Sequence, residues 1–431
     1  MLRTRATIAV GKAARAAARL RGGGSALPGL VVERLDPGFL TRMLADLPGG
    51  VVVVSGTNGK TTTTKMLVAV LRAHGRRVFT NPTGSNFTRG VISSMLGVLP
   101  ASGRLDADTA VLELDEAHAL RFADAVPPTH ALLLNVARDQ LDRFAEIDAT
   151  AALLRRLAEQ VRTAVVLNHD DSFVARIRPS IPAGVQVRWF GIDPTLVDGL
   201  PSLYEADVRD DAGVEPEPLA SGDAMLRPRL PDAFTVSFGD GVDLGPVTLA
   251  QPGLAAMINA TAAVAMARVL LGDRFDIRKT EQALRELEPA FGRGEVIDAD
   301  GAPLELVLVK NPAAFTVALG TYGDRPVATM VAINDNDADG EDVSWLYDVS
   351  FASLRAGGVA LTSGQRAYDM ALRLQYDDVA VAAVEPDLEA GLDRFLEELR
   401  GRPRRIFCTY TAMMELRLLL QTRYGLANFG E

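Results

Sequence analysis

Short runs of aliphatic and β-branched residues alternate along this chain with longer segments whose apolar positions recur at helical spacing. Residues 51–54 are four consecutive valines, a run suited to a strand buried on both faces of a parallel sheet. Met66, Leu67, Val70 and Leu71 then mark one face of a helix starting at Lys60. Further strands are expected near 77–80, 109–114, 131–134, 164–167 and 185–190, several of them separated by helical segments. Such β-α alternation predicts a doubly wound α/β sheet, whose ligands bind beyond the carboxyl ends of the strands. The rhythm fails over 193–233, where Pro, Gly, Asp and Glu dominate, and a polar insertion is expected there. Helical spacing returns over 255–271. After Gly292-Arg293-Gly294 a second alternation begins, with strands expected near 304–309, 327–333, 359–361, 379–383 and 406–409 and helices over 367–374 and 388–399. The expected organisation is a basic helix and lead-in over 1–44, a central domain with a mainly parallel sheet over 45–292, and a smaller Rossmann-like α/β domain over 293–431.

What joins the valine strand to its helix carries chemistry. Gly56-Thr57-Asn58-Gly59-Lys60-Thr61-Thr62 is a glycine turn that lets the backbone approach an anion, followed by the N–H groups and positive end of a helix. Lys60 would reach the β- and γ-phosphates of a nucleotide, with the Thr61 hydroxyl on Mg²⁺. Position 54 is Val where the common phosphate-loop spacing has Gly, so the motif is a shorter variant. Glu113 ends a predicted strand, where a carboxylate can hold Mg²⁺ directly or through water, and Asp115, Glu116 and the run 135–142 are similar candidates.

Composition narrows the class. At 431 residues, with hydrophobic residues at 48% and charged ones at 23%, two or three globular domains are expected. The lone cysteine, Cys408, excludes a disulfide framework or a four-thiolate zinc site and fits a reducing cytoplasm. No run of 18 apolar residues is present, so no membrane span is expected. Residues 1–30 hold six cations and no acid, which leaves −16 on the rest of a chain whose net charge is −10. The alanine-rich stretch 8–20 reads as a basic helix that lies on an anionic membrane surface or packs on its own domain, and it also superficially resembles a transit peptide. The acidic balance elsewhere argues against nucleic acid as the main partner.

The glycine loop, the strand-end Glu113, the stretch 135–142, Leu167-Asn168-His169-Asp170-Asp171 and Gly292-Arg293 together resemble the Mur ligases and folylpolyglutamate synthetases. More finely, Asn81-Pro82-Thr83-Gly84-Ser85-Asn86, Arg138-Asp139-Gln140-Leu141-Asp142, Lys310-Asn311-Pro312-Ala313, Asn334-Asp335-Asn336, Asp342-Val343-Ser344-Trp345 and Tyr410-Thr411-Ala412 resemble the MurT family. MurT chains are the synthetase subunits of lipid II isoglutaminyl synthase, and these motifs span nearly the whole chain in order. The resemblance implies a carbon–nitrogen ligase that uses ATP and Mg²⁺ to phosphorylate the D-glutamate α-carboxylate of the lipid II stem peptide, followed by amidation to D-isoglutamine. It implies Lys60 and Arg293 at the transferring phosphoryl group, Thr61 and Glu113 at the metal, and Gly56 to Thr62, Asn168, Asn259 and Arg293 at the nucleotide.

Nitrogen is the missing reactant. A glutaminase needs an activated thiolate and a histidine base, yet Cys408 sits in an apolar strand pattern and the chain has four histidines. The resemblance therefore implies a GatD-type glutaminase partner with its own Cys and His, to whose triad Asp342 adds the acid. An acid there orients and stabilises the histidine. It also implies a cytoplasmic protein acting on lipid II at the inner face of the membrane. The chain departs from the pattern in having no zinc-ribbon cysteines over 193–233, so zinc is not expected. It has Asp139-Gln140 where wider Mur sequences have Asp-His, and near the end of the central domain it keeps Asn259 alone of an Asn pair. Two alternatives stay open at this point. One is a stand-alone amino acid ligase, against which the lack of an amino-terminal sugar-binding domain before residue 45 argues. The other is a non-catalytic nucleotide-binding scaffold, against which intact Lys60, Thr61 and Glu113 argue.

Overall fold

The computed structural model describes residues 2–20, 26–81, 87–100, 103–137, 147–197, 200, 220, 222–229, 232–289, 293–323 and 327–426. Two sheets organise it. The first holds β1 (Val51–Ser55), β2 (Val78–Thr80), β3 (Thr109–Glu113), β4 (His130–Leu133), β5 (Ala164–Asn168), β6 (Gln186–Ile192), β7 (Ala224–Arg229), β8 (Ala233–Phe238) and β9 (Asp243–Thr248) in the order β2-β3-β1-β4-β5-β6-β7-β8-β9. From β2 to β7 every pairing is parallel, while β7, β8 and β9 pair antiparallel.

The valine run behaves as its composition predicts. Val51 and Val53 enter one hydrophobic core with Ala110, Leu112, Ala131 and Leu133, whereas Val52 and Val54 enter the opposite one with Val111 and Leu132. Alternate side chains thus bury both faces of β1, and at roughly 25 cal/mol per Å² of apolar surface this burial is what holds the strand central. The second core also receives the helix Leu254–Leu271, whose residues from Ala260 to Ala267 are buried without exception. That helix is long and apolar enough to cross a membrane, but 72% of its apolar window is buried inside the protein.

β10 (Arg293–Ala299), β11 (Ala302–Leu308), β12 (Ala328–Ala332), β13 (Leu361–Ser363), β14 (Val384–Glu385) and β15 (Arg404–Cys408) form the second sheet, in the order β10-β11-β15-β12-β13-β14. Only β10 runs antiparallel. Leu304, Met330, Ile406 and Cys408 face one core, and Val307, Val331 and Phe407 the other.

Three expectations are corrected. Residues 224–229, expected within a polar insertion, are β7: its buried run Ala224-Met225-Leu226 is only three residues long, is followed by exposed Arg227, and was masked by the charged residues around it. Much of the remaining 193–233 segment lies outside the described residues. The strand expected at 379–383 forms two residues later, at Val384–Glu385, with only an isolated bridge from Val359 to Val381 before it. The hairpin strand β10 had no counterpart among the expectations. At the amino end, the basic helix runs over Leu2–Leu20 and packs on its own protein through buried Ile8, Gly11 and Ala18.

Candidate active site

The glycine loop leaves β1 at the carboxyl edge of the sheet, where strand order departs from sequence order, the place such folds reserve for ligands. Gly56 and Gly59 have φ of +131° and +85°, conformations an L side chain rarely adopts. A Cβ on Gly56 would stand 2.9 Å from the Asn135 backbone, and one on Gly59 would stand 2.3 Å from Asn259 Oδ1. Gly59 is also the residue that opens the helix Lys60–Ala73, whose first N–H groups face outward from the loop.

Asn135, just beyond β4, is the template for this turn. Its Nδ2 donates to Asn58 O at 2.9 Å, its Oδ1 accepts from Asn58 N at 2.8 Å, and its carbonyl accepts from Thr57 N at 3.0 Å. Asn81 does the same for the metal candidate, donating from Nδ2 to Glu113 O at 2.8 Å while its Oδ1 accepts from Glu113 N at 2.9 Å. Glu113 lies in register beside Val54, so its carboxylate emerges next to the loop. There it accepts a 2.8 Å hydrogen bond from Thr61 Oγ1. The two expected metal ligands are therefore adjacent, and both offer the hard oxygen that Mg²⁺ prefers. Among the described residues no group of three or more His, Cys, Asp and Glu is placed to hold a metal, so this pair suits an ion completed by phosphates and water rather than an all-protein cage.

Lys60, 8% exposed, folds back on the turn. Its Nζ donates to Gly56 O at 2.6 Å and lies 3.5 Å from Asp115 Oδ1 and 3.7 Å from Glu116 Oε2. Glu116 also accepts from Thr57 Oγ1 at 3.3 Å. Burial pushes the Glu116 carboxyl up to about 7, against the pull of Lys60. Burial also opposes charge on Asp115, but the hydrogen bond with Glu116 and the Lys60 and Lys310 ammoniums outweigh it and hold that carboxyl below the usual range. One proton is thus shared unequally between two acids facing one lysine.

From the second sheet, Asn311 reaches across. It caps the helix Pro312–Tyr322 through Oδ1, which accepts from Ala314 N at 2.8 Å, and its Nδ2 donates to Asn58 Oδ1 at 3.1 Å. Asn-Pro at a helix start is a recognisable cap followed by a first-turn proline, yet the bond to the glycine loop leaves no local sequence signal. Between the loop and this helix lies a cleft of about 950 Å³, its open mouth included, lined by Asn58, Gly59, Asn135, Asn259, Ala314 and Thr321 among others. Mostly apolar walls with a few convergent amides suit a purine and ribose.

Asn259 is brought to this cleft; Asn168 is not. Fully buried, Asn168 donates to Leu134 O at 2.7 Å and accepts from Asp170 N at 3.0 Å, so its amide is spent on the turn behind the loop. Arg293 begins β10, but its side chain lies outside the described residues, as do Gly292, residues 82–86 and the 138–144 motif.

The acids of 335–348 separate by geometry. Asp335 pairs with Arg366 at 2.6 Å. Asp339 is buried and accepts from the Thr411 N–H at 2.8 Å and from its hydroxyl. Asp342 is exposed, and the hydrogen bonds it receives from Ser344 hold its carboxyl below the usual range. Cys408 is fully buried, its thiol pushed far up by burial, and it donates to Val307 O at 3.7 Å.

Comparison with known proteins agrees with this geometry. Residues 54–267 match the Mur ligase middle domain and residues 308–413 the MurT ligase C-terminal domain. The chain is 31% identical to the lipid II isoglutaminyl synthase (glutamine-hydrolyzing) subunit MurT of Streptococcus pneumoniae, covering 93% of each chain. It is 26% identical to the subunit of the same name from Staphylococcus aureus, over 88% of this chain and 89% of that one. Among solved structures, MurF ligase from Thermotoga maritima in complex with ADP superposes with a TM-score of 0.64 at 17% identity, covering 92% of this chain and 84% of that one. With nearly full-length identity above 30% and both domain models matched in order, the chain belongs to the MurT family of ligases.

Proposed function

We propose that this chain is the synthetase subunit that amidates the D-glutamate α-carboxylate of the lipid II stem peptide, using ATP and ammonia released by a separate glutaminase. The observation that carries the reading is the joint placement of Lys60, Thr61 and Glu113 in and beside a glycine loop that borders an apolar cleft and is bonded by Asn311. Membership of a family whose curated relatives carry that enzyme's name supports it.

A carboxylate is a poor electrophile because oxide would have to leave. Transfer of the γ-phosphoryl group to one carboxylate oxygen breaks the terminal P–O bond of ATP and forms an acyl phosphate. Ammonia then adds to the acyl carbon, phosphate departs, and one proton leaves the nitrogen. The glycine loop N–H groups and the helix end cradle the phosphates, while Lys60 moves from Asp115 and Glu116 to the transferring group. Arg293 adds a second cation there. Thr61 and Glu113 hold Mg²⁺, which when bound neutralises charge on the phosphates. Asn259 and the cleft walls position the nucleoside.

Ammonia comes from a partner in this reading. The single thiol, at the end of β15, is sealed in the core and cannot meet glutamine. Asp342, exposed in its loop together with Asp337, Glu341 and Asp348 and chosen among them by its place in the Asp342-Val343-Ser344-Trp345 motif, completes the glutaminase triad of a GatD-type subunit, orienting that partner's histidine. The domain division at residue 292 belongs to the same reading, with the nucleotide between the two parts.

The test is amidation of lipid II by the chain co-purified with its glutaminase. ATP, Mg²⁺ and glutamine should yield stem peptide in which one carboxyl hydroxyl has become an amine, read by mass. Addition of an amino acid instead, or no ATP consumption with either nitrogen source, would overturn the proposal.

A further inference from the structure

We propose that the outer face of the amino-terminal helix Leu2–Leu20, with Val98 and Arg104 beside it, docks this protein on an anionic lipid bilayer. The helix is anchored to the protein by one side only. Ile8 and Ala18 are buried, Gly11 packs against Val32 and Leu96, and Lys12 Nζ donates to Leu99 O at 2.7 Å. The opposite side carries Ala6, Ala9, Val10, Ala13, Ala16 and Ala17, all exposed and none polar. A solvent-facing helix side ordinarily carries the charges; here they flank it.

Charge selects the occupant. Residues 1–30 hold six cations and no acid, against −16 on the remainder, so the molecule is strongly polarised and orients this end toward a negative surface. Arg5 and Lys12 stand seven residues apart along the helix, and that spacing keeps them near one edge of it. Gly103 lies against Ile8 and Arg5, which brings exposed Arg104 and the 62% exposed Val98 to the same edge. The acids nearest this surface are already engaged: Asp36 is buried and paired with Arg42, and Asp106 is paired with Arg77. Cations flanking a shallow apolar face fit a bilayer of anionic headgroups better than a protein partner, whose recognition surface would offer large aromatic anchors a pocket. The use of this contact rests on the proposed function, because a lipid-linked carboxylate is presented at such a surface; the contact itself does not.

The test sediments the full chain, with its co-expressed glutaminase, against vesicles of phosphatidylglycerol and phosphatidylcholine and against phosphatidylcholine alone. Capture is expected by the anionic vesicles only, and it should weaken severalfold when ionic strength rises from about 0.05 M to about 0.5 M as screening shortens. Arg5→Gln with Arg104→Gln, and separately Val10→Asp with Ala13→Asp, should each lower the vesicle-bound fraction roughly tenfold. Both variants should keep wild-type amidation of lipid II dispersed in neutral detergent. Equal capture by both lipids, or capture unchanged in both variants, overturns the proposal. So does loss of the glutaminase, or a change in self-association, in the Val10→Asp/Ala13→Asp protein, since the face would then belong to a protein contact. Failure of the wild type to amidate in detergent would overturn the catalytic reading and leave the vesicle result standing.

Discussion

The glycine loop and the acidic loop of the second sheet both stand at carboxyl ends of parallel strands, yet they dispose of their charges in opposite ways. Around the glycine loop the charges and amides answer one another: Lys60 meets Asp115 and Glu116, Thr61 meets Glu113, and Asn58 meets Asn135 and Asn311. In the acidic loop Asp335 and Asp339 are consumed by Arg366 and Thr411, which leaves Asp342 held out toward solvent. A site that works within its own chain compensates its charges until a ligand displaces them. On the proposed function Asp342 serves another chain, and it is propped in place by Ser344, which takes no part in the chemistry.

The sharpest way to break this contrast is Lys60→Ala. On the proposed mechanism the variant loses the cation at the transferring phosphoryl group, and ATP-dependent amidation should fall by about 10³-fold or more. Both nitrogen sources should fail equally. Recovery on adding ammonium salt would show that Lys60 serves the supply of ammonia and not phosphoryl transfer, and would overturn its assigned role. Asp342→Asn should behave in the other way. Glutamine-driven amidation should fall by about 10²- to 10⁴-fold, as when a triad acid is lost, with ammonia-driven activity largely kept. If both fall together, Asp342 belongs to the ligase site or the fold.

Asn135→Ala probes how far the loop depends on its template. Two hydrogen bonds to Asn58 disappear, leaving partly buried backbone groups unpaired, at a cost of about 1–3 kcal/mol. Denaturant unfolding should register that loss, and KM for ATP should rise about tenfold, by the same energy, more than kcat changes. An unchanged KM would mean the glycines alone fix the turn.

These differences also explain what the sequence made legible. Strand β1 and the loop after it could be read because valine alternation, glycine turn and lysine are contiguous and each has a local physical meaning. The meeting of Thr61 and Glu113 could be anticipated because Glu113 ends a strand beside the loop. Asn168 misled because an asparagine at a strand end looks alike whether its amide faces a ligand or, as here, is spent on Leu134 and Asp170. Glu116 and Asn311 could be singled out in the sequence, but their contacts with partners 59 and 253 residues away in the chain are encoded by no periodicity. Strand β7 was missed for a similar reason: its partners, β6 and β8, decide that Ala224 and Leu226 are core.

The smallest expected effect concerns the acid beneath Lys60. Glu116 has its carboxyl raised from 4.5 to about 7, chiefly by burial, so between those values the folded chain binds a proton the unfolded chain has released. Stability must therefore fall as pH rises through that window. Asp171, raised to about 6 by burial, acts in the same direction. His130, lowered to about 4 by burial, acts against them, because its folded form resists protonation and gains stability as pH rises toward 6.5. The wild-type profile mixes all three, so the informative quantity is its difference from Glu116→Gln, which keeps an acceptor for Thr57 but cannot ionise. Measured by denaturant unfolding from pH 5 to 8, the wild type should lose about 1–3 kcal/mol relative to the variant, most of it below pH 7. Parallel profiles would mean that Lys60 already pairs with an ionised Glu116, and the glycine loop would then hold both of its acids charged, as the acidic loop holds Asp342.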